Sequence, residues 1–250
     1  VIAPKTHQSG MSMAVSLGLK QIAYKDLPEE KPGTWAYLDA TPASCVKYGL
    51  NVPFLEKFPD VVVSGINHGS NAASAACYSG TLGAAEEAAL NGIPAIGVSL
   101  DTINPEADFS AVRKFFPDIF RKLMENMTSV SGIFYNVNFP NIPAEQIKGI
   151  RVGHQGMGRW IREFREWDPS IYKKYGITPE DLGQNSSPKL ESGEKLYMMV
   201  GDFLDDERND SRADHWIMND GYISIVPDNL DSTDYEEVER LGKTGFDIDF

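Results

Sequence analysis

The stretch VVVSGINHGSNAASAACYSGTLGAAEEAALNGIPAIGVSL, residues 61 to 100, constrains the fold more than any other part of the chain. Val61-Val62-Val63 running into Ser64 reads as a short strand, and Gly65 to Thr81 as a loop of Gly, Asn and Ser. Leu82 to Asn91 reads as a helix, with Leu82, Ala85, Ala89 and Leu90 on one face and Gly92-Ile93-Pro94 as its stop. Ala95 to Leu100 is the next strand. Strand, crossover helix and strand in that order require a parallel pair. The pattern recurs: Phe109 to Met127 has helical apolar spacing, with Pro117 either kinking it or marking its first turn, and Ile133 to Phe139 is again a strand. Residues 1–150 therefore read as an α/β core with a Rossmann-like, mostly parallel sheet and helices on both faces.

Residues 151–250 change character. Trp160, Trp167, Tyr172 and Tyr175 lie among many charges, with Pro169, Pro179 and Pro188 as breakers. Lys195–Leu204 reads as a hairpin strand and Gly221–Val226 as another, on either side of the acidic run Asp205-Asp206-Glu207. We read this part as an elaboration packing on the same domain, with an arm suited to assembly; a solvated lid is the plainer alternative. The run of carboxylates reads as a solvated face rather than a second metal site.

Composition narrows the function. A chain of 250 residues with 42% hydrophobic and 24% charged residues is long enough for one sizeable core. No apolar run approaches the roughly 18 residues of a membrane span. A net charge of −13 opposes binding to a nucleic-acid polymer but not to a small anion held locally. Cys45 and Cys77 have neither disulfide-framework nor metal-ligand spacing, so both are expected to be buried, reduced thiols in a cytoplasmic protein. Val1-Ile2-Ala3-Pro4 reads as a buried strand entering a loop, not as a signal peptide, and a segment ahead of it is expected.

The long loop carries the chemistry. It joins the carboxyl end of a strand to a helix start, where ligands bind in open α/β sheets. Ser79 and Thr81 suit an N-cap, and Gly80 allows close approach of backbone to an anion at the helix terminus; helix capping alone also explains them. The glycine spacing fits neither a dinucleotide fingerprint nor a P-loop. A helix terminus contributes about 0.3–1 kcal/mol, whereas millimolar binding needs about 4 kcal/mol. Residues 58–112 contain no Lys or Arg. A phosphate ligand there calls for a divalent cation, toward which Asn67 and Asn71 offer amide oxygens.

These residues closely resemble the survival protein E (SurE) family of metal-dependent 5′(3′)-nucleotidases, whose hallmark here is VSGIN-x-G-x-N followed by SGT-x-GAA. VIAPKTHQSGMS, ATPASCVKYGL at 40–50, YNVNFP at 135–140 and DGYISIVPDNLDST at 220–233 resemble further landmarks of that family, with Ser44 where an Asp is usual. The resemblance implies hydrolysis of nucleoside 5′- and 3′-monophosphates with Mg²⁺ or Mn²⁺, and a homodimer or homotetramer. Ser9 and Asn67 match metal ligands. Asn71, Ser79, Gly80 and Thr81 match the phosphate-binding segment, with Asn67 and Thr81 as the catalytic candidates. His68 and Arg159 are left open between substrate contact and ordinary loop or interface packing. The family's NDDG motif, which supplies two more ligands, is absent from residues 1–250. The chain by itself is therefore expected to be inactive, the Asp pair lying upstream. A non-catalytic phosphate-binding or assembly protein of the same fold is the alternative.

Overall fold

The computed structural model describes residues 1–27, 34–104, 106–128, 130–182, 184–246 and 248. Sheets of three and five strands are built side by side, and an arm later in the chain adds two two-stranded ribbons. The three-stranded sheet contains β1 (Ile2–Pro4), β2 (Tyr24–Asp26) and β3 (Ala36–Leu38), ordered β1-β3-β2, with β1 and β3 parallel. From β3 the chain enters α1 (Pro42–Asn51), which Thr41 caps by accepting a hydrogen bond from Ser44 N and Pro42 opens at a position needing no N–H donor.

The larger sheet starts with β4 (Val62–His68), followed by α2 (Gly80–Leu90), β5 (Ala95–Leu100), α3 (Ser110–Asn126), β6 (Ile133–Phe139) and β7 (Gly149–Val152). An arm follows: β8 (Gly158–Ile161), β9 (Phe164–Glu166), α4 (Ser170–Lys174), β10 (Tyr197–Met199) and β11 (Asp202–Asp205). Then come α5 (Asp214–Asn219), β12 (Tyr222–Asn229) and α6 (Tyr235–Leu241). The sheet order is β4-β5-β6-β12-β7, in which only the β6–β12 pairing is antiparallel. The sheet is thus mostly parallel, and β12 returns from the C-terminal part of the chain into its middle.

Helices cover both faces. Leu82, Ala85, Ala88 and Ala89 of α2 pack with Ala95, Phe134 and Leu50 on one face. On the other, Val112 and Ile119 of α3 pack with Ile96, Val98, Leu100, Val137 and Phe139. β5 is buried along its whole length, so it reads as a continuous apolar run and not as an alternation. α3 does contain Pro117 in its interior, on the exposed side, where the lost N–H faces water. Leu90, expected on the buried face of α2, is instead 60% exposed at its last turn, because Ala88 and Ala89 already fill the contact.

Among the described residues β1 pairs only with β3, and β4 only with β5. Both are therefore parallel edge strands with an unpaired side. α1 packs against both α2 and β1, holding the two sheets next to each other across this slot.

Half-buried Asp228 on β12, opposite Phe134, has its carboxyl pushed from 3.8 to about 7 by burial first and by the Asp214 and Glu86 carboxylates second. Folding thus takes up a proton between those two values. The associated stability is complete below the lower value and lost as pH rises through the upper one. Asp228→Asn is expected to stabilise the protein by on the order of 2 kcal/mol at pH 8, allowing for solvent screening, and by progressively less toward pH 4. Thermal unfolding of both proteins across this range checks it; a gain that grows as pH falls would refute it.

Candidate functional site

The site is built where the carboxyl ends of β4, β5 and β6 meet the start of α2. The expected loop of residues 65–81 is shorter than read from the sequence. β4 continues to His68 by skipping register between Ser64 and Asn67, so that Asn67 lies opposite Ser99 and His68 opposite Leu100. Gly65 makes this possible: its φ is +126°, and a Cβ there would stand 2.3 Å from the Val98 carbonyl oxygen. Small residues then form a 3₁₀ segment, Ala73–Tyr78, that delivers the chain to Ser79.

Ser79 is the N-cap of α2, its hydroxyl accepting from Leu82 N at 3.0 Å. Gly80, buried, begins the helix, and Thr81 is half-buried in its first turn. The Ser9 loop docks on this same turn. Ser12 N donates to Tyr78 O at 3.0 Å, and a Cβ added at Gly80 would lie 3.2 Å from Gln8 O. A Cβ at Gly83 would stand 2.0 Å from Ser12 O, so the SGT-x-G pattern is needed to let the loop lie on the helix. Gly83→Ala is expected to lower thermal stability by about 1–3 kcal/mol, since the atoms its methyl would meet, Ser12 O and C and Met13 N, are all backbone, and to release the Ser9 loop. Amide exchange at residues 8–13 that stays at the wild-type rate would contradict that.

The structure thus docks the loop that carries Ser9, itself exposed, on the start of α2 through the neighbouring Gln8 and Ser12. Asn67 lies at the end of β4, its amide nitrogen donating to Gly69 O at 2.8 Å. Asn71 is only 4% exposed and is held from below. Its backbone N–H donates to Asn138 Oδ1 at 2.9 Å, its carbonyl accepts from Asn136 Nδ2 at 2.9 Å, and its own Nδ2 donates to Ser99 Oγ at 2.6 Å. Asn138 Nδ2 in turn donates to Asn136 Oδ1 at 2.8 Å. Ser99, Asn136 and Asn138 form a buried polar floor beneath the loop, and sequence reasoning missed their role. The signal was present: polar residues at alternate positions 136 and 138 within an otherwise apolar strand lie on one face.

Asp214 was missed as well. It is fully buried, and its carboxylate accepts from Ala73 N and Gly156 N. His68 is exposed and meets the edge of Phe109 at 5.0 Å between ring centroids. Arg159 lies on β8 opposite Leu204, and Trp160 meets Phe203 at 5.6 Å, so both are arm residues. Cys45 is buried as expected, but Cys77 is exposed: the 3₁₀ turn before Ser79 places it outside the packed side of α2.

Comparison with known proteins agrees with this geometry. Residues 1–162 match the family model described as Survival protein SurE. A 5′-nucleotidase SurE of Cytophaga hutchinsonii is 37% identical over 246 residues, covering 97% of this chain and 85% of that protein. One from Syntrophobacter fumaroxidans is 34% identical over 244 residues, covering 97% and 87%. The crystal structure of the SurE protein from Aquifex aeolicus superimposes with a TM-score of 0.73 at 28% identity, covering 98% of this chain and 87% of that one. The family model covers the Ser9 loop, the capped start of α2 and strands β1 to β7, the curated relatives cover nearly the whole chain, and the chain belongs to the SurE family.

Proposed function

We propose that this chain is a 5′-nucleotidase that hydrolyses nucleoside 5′-monophosphates, and 3′-monophosphates as well, to nucleoside and phosphate. The observation that carries the reading is the convergence of the Ser9 loop on the Ser79-capped start of α2, within a family whose relatives carry the name 5′-nucleotidase. Phosphate monoesters hydrolyse so slowly unaided that enzymes accelerate them by up to about 10²¹-fold. N–H groups and hydroxyls fixed at the helix start favour charge on the transferring group's oxygens, with little reorganisation at the moment of reaction. Ser79 caps that terminus and Gly80 makes room there for the Ser9 loop, while the Gly80 and Thr81 N–H groups and the Thr81 hydroxyl are the groups we assign to the phosphoryl oxygens. Asn67 orients the loop through Gly69 and Asn71 anchors it to the floor.

A divalent cation, Mg²⁺ or Mn²⁺, is the cofactor the family resemblance implies, with Ser9 and Asn67 as two of its ligands. These two are neutral, and among the described residues no group of three His, Cys, Asp or Glu side chains is placed to hold a metal ion. The residues present do not fit a cation that takes about six oxygen ligands and favours carboxylates. We therefore derive no step through it from them. In our reading the remaining ligands are the Asp pair that the family resemblance implies, carried by a strand that would seat between β1 and β4.

We read the protein as a cytoplasmic homodimer or homotetramer. Among the described residues no helix is long and apolar enough to cross a membrane. The arm leaves Phe164, Tyr197 and Met199 more than half exposed, which supports its use as the contact between subunits. Light scattering is expected to give at least a dimer at micromolar concentration, and a monomer would remove this part of the reading. The function itself is tested by coupled detection of nucleoside and inorganic phosphate from a panel of 5′- and 3′-monophosphates. Equal release of both products supports it; tight phosphate binding without turnover moves the assignment to the non-catalytic reading.

A further inference from the structure

We propose that Asp214, at the start of α5, is a positioning residue that fixes the phosphate-side loop Asn71–Ser79 from the C-terminal part of the chain; its kinetic consequence rests on the nucleotidase reading above. The carboxylate is 0% exposed and is met by three backbone N–H donors, one from each of two distant segments and one from the next residue of its own helix. Ala73 N lies 3.0 and 3.1 Å from its two oxygens, Gly156 N lies 2.9 Å from Oδ1, and the adjoining His215 N lies 2.8 Å from Oδ1. Ala73 is one of few non-glycine residues here with positive φ, +50°. Such a conformation persists where its surroundings over-determine it. They do: Asp214 holds the N–H of Ala73 while Gln155 Nε2 donates to its carbonyl at 3.2 Å.

The consequence follows from the chain direction. The Asn floor fixes Asn71, Asp214 fixes Ala73, and one six-residue 3₁₀ segment later Ser79 caps α2. Displacing Ala73 displaces the helix start at which phosphate is to bind. The grip is itself rigid. Asp214 N donates to His154 O at 3.0 Å, and Ala213 pairs with His154 as an isolated parallel bridge. Beyond it, His215 Nε2 lies 3.0 Å from Asp205 Oδ1, and Trp216 Nε1 donates to Asp205 Oδ2 at 2.8 Å. The base of the arm and the phosphate-side loop are thus fastened to consecutive residues. All three donors reach Oδ1 and Ala73 N is shared with Oδ2; a carboxylate accepts from Ala73 with both oxygens, whereas an amide sets its NH₂ against that same N–H.

The test compares wild type with Asp214→Asn, an isosteric change, and Gln155→Ala, which leaves the carboxylate in place. Amide exchange, thermal unfolding, steady-state kinetics on a nucleoside monophosphate with Mn²⁺, and inhibition by inorganic phosphate are read together. In Asp214→Asn, exchange is expected to accelerate at Ala73 and Gly156 while β5 and β6 keep wild-type protection. KM and the phosphate inhibition constant rise together, and kcat/KM falls by roughly 10²-fold, the scale of an ångström-sized misplacement. Gln155→Ala shifts the same quantities several-fold in the same direction and decides the matter if Asp214→Asn does not fold. Unchanged phosphate inhibition in a folded variant, or exchange that accelerates evenly through the sheet, overturns the proposal. The kinetic arm uses the form that supplies the strand between β1 and β4: if that wild type turns over no nucleotide, the nucleotidase reading fails, and the local exchange at Ala73 and Gly156 still judges the positioning claim.

Discussion

Asn67→Ala is expected to lower kcat/KM for nucleoside monophosphates by about 10²–10³-fold in the active enzyme, the range found when a single positioned polar group is removed from a charged transition state. Stability is expected to change by no more than about 1 kcal/mol. Asn67 is half-buried at the end of β4, outside the buried clusters of the core, and its one local bond is to Gly69 O. Its removal loosens a turn and takes away an oxygen on the site rim without opening a cavity. Steady-state kinetics with parallel urea unfolding separates the two effects. Wild-type kinetics in a folded variant would remove Asn67 from the site; a large loss of stability would make its role structural.

The second large effect concerns the slot between the sheets. Two parallel edge strands, β1 and β4, face it with unpaired backbone among the described residues; Ser9 follows the carboxyl end of β1, and Asn67 lies at that of β4. A strand seated there in parallel would satisfy both edges and bring its own carboxyl end, with the expected Asp pair, to those two neutral residues. Residues 1–250 alone are expected to bind Mn²⁺ weakly and to turn over at least about 10³-fold more slowly than a form that supplies this strand, because a cation contributes several kcal/mol of charge stabilisation. Calorimetric Mn²⁺ titration of both forms checks it. Equal affinity would place the cation elsewhere.

The βαβ frame was legible because its signals are local. Gly92-Ile93-Pro94 stops α2 where β5 must begin, and the observed helix and strand follow that punctuation. The capped start of α2 was legible through Ser79 and Gly80 because capping and close approach depend on residue type; Ser9 was named by the family resemblance alone. Length of β4 was not, since Gly65-Ile66 looks like loop composition although pairing resumes after the register skip at Asn67. Asp214 was invisible for a different reason. Its partners Ala73 and Gly156 are backbone groups 141 and 58 residues away, and no pattern in one sequence marks a contact made through N–H groups. The pairing of β12 beside β6 escaped for the same reason: Gly221–Val226 reads as a strand, but nothing local says which distant strand it lies beside.

The most direct measurement of the central claim is inorganic phosphate release from a nucleoside 5′-monophosphate by the strand-completed protein, followed through addition of excess EDTA and then of Mg²⁺ or Mn²⁺. The account predicts release that stops with EDTA and returns with the cation, and that Asn67→Ala and Ser9→Ala both reduce at saturating metal. Turnover that continues undiminished in EDTA would contradict it.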